Sequence, residues 1–194
     1  MFLFLHLCSA IQPTVRYASV IQLKNVYSKN RLSVTTETGS FQSPTIYSSR
    51  PPFEDGWTWS IDSVSDSVFI SGQPVQCNGN ITIRNPLTKL YVSTKPSSGG
   101  VEVVPSIHND DSSTQWQVIC SSGTEWVKGE KVQFYNIAHK CFLSTSLEGR
   151  QELLNKFNVT CSSLSADTIW KASQGVYIMP NEEKPKEDYY DSEL

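Results

Sequence analysis

Three stretches of this chain align on one another: VIQLKNVYSKNRLS from Val20, NITIRNPLTKLYVS from Asn80 and KVQFYNIAHKCFLS from Lys131. Each begins with apolar residues two apart, Ile21/Leu23, Ile81/Ile83 and Val132/Phe134. Each continues with an Asn (Asn25, Asn85, Asn136) and a Lys four residues on (Lys29, Lys89, Lys140). Each ends in an aliphatic residue followed by Ser: Leu32-Ser33, Val92-Ser93 and Leu143-Ser144. A Trp follows each Asn at a similar distance, Trp59, Trp116 and Trp170 in turn. Five aligned features in three copies are an internal repeat of roughly 50–60 residues, and a repeat of that length limits the fold to stacked or closed like units.

The apolar alternation has period two, as in half-buried strands. The Asn-x-x-x-Lys stretch that follows is turn-rich, with Asn suited to side-chain hydrogen bonds to its own backbone. A second strand begins at each aliphatic-Ser pair. Further strands are expected at Ser67–Ser71, at Gly100–Val104 and around each Trp, and no stretch shows a helical apolar period. Lys95–Gly100 and Phe41–Pro52, rich in Ser, Pro and Gly, are expected to be irregular loops. One such unit is a marginal ribbon with one apolar face. Three can bury those faces together and close a barrel without sheet edges. The expectation is therefore an all-β chain: a β-trefoil of three four-stranded units with pseudo-threefold symmetry. Its repeated Trp residues belong to the core rather than to an exposed sugar-stacking surface.

The first ten residues, MFLFLHLCSA, form an apolar run from Phe2 to Cys8 that ends in small residues. Such a run is too short for a membrane span of about 20 residues and reads as a signal peptide over 1–10. No later segment approaches membrane length, so no membrane insertion is expected. The segment EEKPKEDYYDSEL (182–194) holds six acids and two Lys, a net of −4 against −3 for the whole 194-residue chain, leaving +1 for the rest. Residues 181–194 read as an acidic disordered tail. A nearly neutral body with no Lys/Arg cluster along its sequence argues against nucleic acid as a partner.

With Cys8 assigned to the signal, Cys77, Cys120, Cys141 and Cys161 remain, and four Cys allow three pairings. None is spaced CxxC, and only His108 and His139 lie beyond the signal, so disulfides are a better reading than a metal site. In a trefoil unit the first and fourth strands run antiparallel. Cys77 precedes the first strand of the second unit and Cys120 ends its fourth, while Cys141 and Cys161 fall on the second and third strands of the third unit. That geometry selects Cys77–Cys120 and Cys141–Cys161. The tripeptides Asn80-Ile81-Thr82 and Asn158-Val159-Thr160 are sequons for N-glycosylation.

The repeats, together with TQWQVICSSGTEWVKGEKVQF (114–134) and IWKASQGVYIMP (169–180), resemble the stromal cell-derived factor two family, small secretory-pathway proteins of three MIR repeats. The resemblance covers roughly residues 17–180 and implies a β-trefoil with units at about 17–66, 67–124 and 125–180. It implies residence in the endoplasmic-reticulum lumen, with secretion as the alternative. It also implies partnership with a J-domain co-chaperone and the chaperone BiP in handling unfolded or O-mannosylated clients. Family members end in a retrieval signal of the HDEL type. This chain ends Asp191-Ser192-Glu193-Leu194, which keeps Glu-Leu but lacks the basic first residue and replaces Asp by Ser. Relatives often carry His after the aliphatic residue of the second strand; Leu32-Ser33-Val34 and Val92-Ser93-Thr94 carry none, so no role of those His transfers.

No G-x-S-x-G, H-E-x-x-H, GxxxxGK[ST] or GxGxxG is present, and no catalytic residue, metal or cofactor is expected. The acidic pairs Asp110-Asp111 and Glu54-Asp55 read as solvated rather than as a glycosidase pair. His139, in the turn of the third unit, reads as a surface His because no partner Ser, Cys or acid is implied. The expectation is a non-catalytic binding adaptor, monomeric on its own. The alternative is a carbohydrate-binding trefoil without chaperone partners, and a glycan-directed enzyme ranks third.

Overall fold

The computed structural model describes residues 13–35, 43–50, 56–64, 71–109, 111–145 and 156–177. Twelve strands lie within them: β1 (Val20–Asn25), β2 (Arg31–Val34), β3 (Ile46–Ser49), β4 (Trp59–Ser63), β5 (Asn80–Arg84), β6 (Tyr91–Ser97), β7 (Gly100–Ser106), β8 (Gln115–Cys120), β9 (Val132–Asn136), β10 (Cys141–Thr145), β11 (Lys156–Ser162) and β12 (Trp170–Val176). The helical content of the described residues is two 3₁₀ turns, Ser112–Thr114 and Ala166–Thr168. The protein is all-β. The expected strand at Ser67–Ser71 falls, but for its last residue, outside the described residues.

All twelve strands join one sheet through antiparallel pairs. The first strand of each repeat pairs with the fourth strand of its own repeat and with the fourth strand of the repeat before it. Thus β1 pairs β4 and β12, β5 pairs β8 and β4, and β9 pairs β12 and β8. The cycle β1-β4-β5-β8-β9-β12 closes on itself, so these strands have no free edge between them. The alternating residues that the sequence marked fill the interior: Ile21, Leu23, Ile81, Ile83 and Phe134 are 0% exposed and Val132 is 1% exposed.

The remaining strands form three hairpins, β2–β3, β6–β7 and β10–β11, which gather over one end of the barrel. There β11 pairs with β3 through Lys156–Asn158 and with β7 through Thr160 and Cys161. The repeated Trp residues fasten these hairpins to the barrel. Trp59, Trp116 and Trp170 are each 0% exposed. Their indole N–H groups donate to the carbonyls of Leu32, Val92 and Leu143 at 2.9, 2.9 and 2.8 Å. The acceptor in every case is the aliphatic residue of the aliphatic-Ser pair, so two sequence features of the repeat are one contact in space.

The repeated Asn residues work across unit boundaries. Each is 0% exposed. Asn85 Oδ1 accepts from the backbone N–H groups of Leu87 and Thr88, closing its own turn, while Nδ2 donates to the carbonyls of Gly56 and Thr58 in the preceding unit. Asn136 likewise accepts from His139 N–H and donates to Ser113 and Gln115. Asn25 accepts from Tyr27 and Ser28 and donates to Asp167, which links the first unit to the last. The Lys four residues on closes the turn with positive φ: 64° at Lys29, 63° at Lys89 and 53° at Lys140.

The opposite end of the barrel is shut by the segments that precede each first strand. Val15 N–H donates to the Trp126 carbonyl (2.8 Å), Trp126 N–H to Val75 (2.9 Å) and Val75 N–H to Val15 (2.9 Å). These three hydrogen bonds make a cyclic triangle, flanked by the bridges Thr14↔Val127, Arg16↔Pro74 and Gln76↔Glu125. All three side chains are 0% exposed and plug the barrel. Trp126 meets Phe134 edge-on, ring centroids 5.5 Å apart. Beside this end, burial pushes the Tyr177 phenol up to about 12, and Lys128 Nζ lies 5.3 Å from its ring.

Two bridges brace different ends. Cys77–Cys120 (Cα–Cα 5.5 Å) joins the approach to β5 with the end of β8 near the triangle, whereas Cys141–Cys161 (Cα–Cα 5.3 Å) crosses the β10–β11 hairpin. Two expected loops turn out to contain strands. Lys95–Ser97 ends β6 and Gly100 begins β7, with Ser98-Gly99 as the connection. Pro96 is tolerated because it sits at an exposed outer position of a projecting hairpin. Within Phe41–Pro52, Ile46–Ser49 is β3, buried by its partners β2 and β11 rather than by any local pattern.

Candidate functional site

Where the three hairpins meet, the third strands of the three units leave a cavity of about 540 Å³. Its lining includes Tyr47 from β3, Val104 and Pro105 from β7, and Phe157, Asn158 and Thr160 from β11. Alternation along β11 buries Phe157 and Val159 and turns Asn158 outward. Tyr47 and Phe157, which also line it, are only 6% and 4% exposed. Lys156 Nζ lies 4.8 Å from the Tyr47 ring centroid, and the Arg50 guanidinium 5.7 Å from that of Phe157. The hairpins around this cavity bury many hydroxyls: Ser33 bonds Ser49, Ser48 bonds Thr145, and Ser144 bonds Thr160. Each is satisfied, which is the condition for burying polar groups without a large desolvation penalty.

A cationic row lies elsewhere on the sheet. Lys24 of β1 stands opposite Lys171 of β12 and opposite Arg31 of β2. Desolvation, with repulsion from Arg31, Lys171 and Lys29, lowers the Lys24 pKa. Lys24, Lys29 and Arg31 are close along the chain, and strand pairing adds the distant Lys171 to them.

His139 has partners that the sequence did not imply. Its Nδ1 is 2.8 Å from Thr94 Oγ1, and Thr94 in turn donates to the Ser113 carbonyl. Which of the two donates across the His139–Thr94 contact is set by the imidazole tautomer. Asp111, nearby, has its carboxyl pKa lowered, chiefly by the Ser113 backbone N–H, then by hydrogen bonds from the Ser113 and Ser112 side chains, with His139 contributing least. The arrangement caps the Ser112–Thr114 turn and links the second and third units.

The other residues singled out in the sequence are dispersed. Asn80 opens β5 at an exposed position far along the chain from Asn158. His108 is exposed, its N–H accepted by Ser106 Oγ. Glu54-Asp55, Asp110, residues 1–10 and Asp191–Leu194 lie outside the described residues. Among the described residues, no group of three or more His, Cys, Asp or Glu side chains is placed to hold a metal ion, and no helix is long and apolar enough to cross a membrane.

Fold and surface thus define a closed all-β barrel of three recurring units, tied by two disulfides of the kind that oxidising compartments favour. No family model matches the chain. It is 25% identical over 179 residues to the stromal cell-derived factor 2-like protein of Arabidopsis thaliana, covering 87% of this chain and 82% of that protein. It is 28% identical over 132 residues to stromal cell-derived factor 2 of Homo sapiens, covering 64% and 62%. Among solved structures, the SDF2-like protein from Arabidopsis thaliana superposes with a TM-score of 0.76 at 22% identity, over 87% of this chain and 99% of that one. The S. cerevisiae protein O-mannosyltransferase Pmt1-Pmt2 complex bound to the sugar donor gives 0.71 at 14%, over 88% of this chain but 27% of that one. A designed threefold-symmetric protein, ThreeFoil, gives 0.57 at 13%, over 78% and 96%. This chain is similar to the stromal cell-derived factor 2 proteins, and the resemblance read from its repeats holds.

Proposed function

We propose that the chain is a β-trefoil of three MIR-type repeats serving as a non-catalytic binding adaptor in the endoplasmic-reticulum lumen. It works there with a J-domain co-chaperone and BiP on unfolded or O-mannosylated clients. The observation that carries this reading is the similarity to a stromal cell-derived factor 2-like protein along most of both chains. Two disulfides suit that compartment. Affinity capture with the full chain from a secretory-pathway lysate tests it: co-purification of a J-domain protein with BiP supports the adaptor. Their absence, with saccharide binding on a glycan array, supports the lectin-like alternative instead. The cavity at the hairpin end favours that alternative as a second reading, because its size suits a small ligand.

A further inference from the structure

Asn158 is at once an exposed strand residue, the first residue of the sequon Asn158-Val159-Thr160, and part of the wall of the hairpin-end cavity. In register it stands opposite Tyr47, which lines the same cavity and is 6% exposed. We propose that Asn158 is a modification site whose N-linked glycan seats its first N-acetylhexosamine in this cavity, closing the hairpin end of the barrel. A volume of about 540 Å³ lies within the range of roughly 300–1,000 Å³ typical of small-molecule sites. Val104 and Pro105 offer apolar surface to the C–H faces and acetamido methyl of the sugar. Glu102 lines the same cavity and supplies a carboxylate for its hydroxyls. Because the sugar is tethered to the wall, even weak contacts are satisfied at a high effective concentration. Asn80, the first residue of the other sequon, lines no part of this cavity, so its glycan would extend into solvent.

The covalent step needs a lipid-pyrophosphate-linked oligosaccharide as co-reactant. The Asn158 side-chain nitrogen forms a bond to C1 of the reducing-end sugar and gives up one proton. The C1–O bond to pyrophosphate breaks, and the electron pair leaves with the lipid pyrophosphate. In the folded chain Thr160 Oγ1 is held by Ser144 at 2.8 Å and Asn158 lies in a paired strand, so the transfer precedes closure of β11 onto β3 and β10.

The test uses the full chain secreted from a glycosylating eukaryotic host. Peptide mass spectrometry reads occupancy at Asn158, and an endoglycosidase then trims the glycan to its first sugar. The expected result is an occupied Asn158. The single-sugar form should melt with the fully glycosylated form and about 2–4 °C above both Asn158→Asp and Asn158→Gln. Amide exchange at Val104 and Tyr47 should be slower with the single sugar than without, and Asn80→Gln should leave that exchange unchanged. An unmodified Asn158 in protein that carries a glycan at Asn80 overturns the proposal. So does a single-sugar form that melts and exchanges like the two variants. Neither outcome bears on co-chaperone capture, so the adaptor reading stands or falls separately.

Discussion

At the end where the chain enters each unit, Val15, Val75 and Trp126 close the barrel with a triangle of backbone hydrogen bonds and no exposed side chain. At the other end, three hairpins meet over buried hydroxyls and leave a cavity of about 540 Å³. The same repeat makes both ends, so the difference lies in what surrounds the axis: apolar side chains packed against one another, or apolar residues such as Ile46, Val103 and Val159 interleaved with Ser and Thr pairs beside a gap. Dense apolar packing stabilises roughly in proportion to the area removed from water, while satisfied polar pairs contribute little net. Stability should therefore concentrate at the triangle end and in the barrel, and adaptability at the hairpin end.

The largest expected effect is Phe134→Ala, which empties the space under Trp126 and should cost about 3–5 kcal/mol by urea unfolding. Cavity formation beside a hairpin should cost less, and equal losses at the two ends would break the comparison. Next come the disulfides. Converting either pair to Ser should cost about 2–4 kcal/mol. The Cys77–Cys120 loop spans 43 residues and Cys141–Cys161 spans 20, so chain entropy makes the former removal worse by roughly 0.7 kcal/mol. A larger loss from the hairpin bridge would show that the polar end carries more of the fold than argued.

Two Trp substitutions sharpen the picture at a finer scale. Trp116 donates to Val92, whereas the buried Trp126 Nε1 has no hydrogen-bond partner among the described residues. Trp116→Phe orphans a buried carbonyl, while Trp126→Phe removes an unsatisfied donor. Thermal denaturation should find Trp116→Phe the more destabilising by about 1–3 kcal/mol. The smallest effect has the opposite sign. Lys89 holds φ at 63°, a conformation that glycine adopts without strain, so Lys89→Gly should stabilise by up to about 1 kcal/mol.

Much of the barrel could be read from the chain because its features repeat: period-two pairs, buried Asn and buried Trp each recur with their spacing. The Trp–carbonyl contact explains why the aliphatic-Ser pair and the Trp recur together. The triangle was not read, although Val15, Val75 and Trp126 each stand six residues before the first apolar residue of their repeat (Ile21, Ile81, Val132), because those segments carry no strand period of their own. Neither was the cavity, which depends on how β3, β7 and β11 approach one another. Lys171 joins Lys24 and Arg31 only through strand pairing, and His139 found Thr94 only through the packing of two units. Lys95–Gly100 misled in the other direction: its composition signals a loop, yet only Ser98-Gly99 is the connection and the rest belongs to β6 and β7.

Native-state hydrogen exchange at increasing urea tests the asymmetry of the two ends most directly. The amides of Val15, Val75 and Trp126 should exchange only through global unfolding, with the same denaturant dependence as Ile83. The amides of Tyr47, Val104 and Phe157 should exchange through a local opening of lower free energy and little urea dependence. If the triangle amides open first, or if both ends share one opening free energy, the account is contradicted.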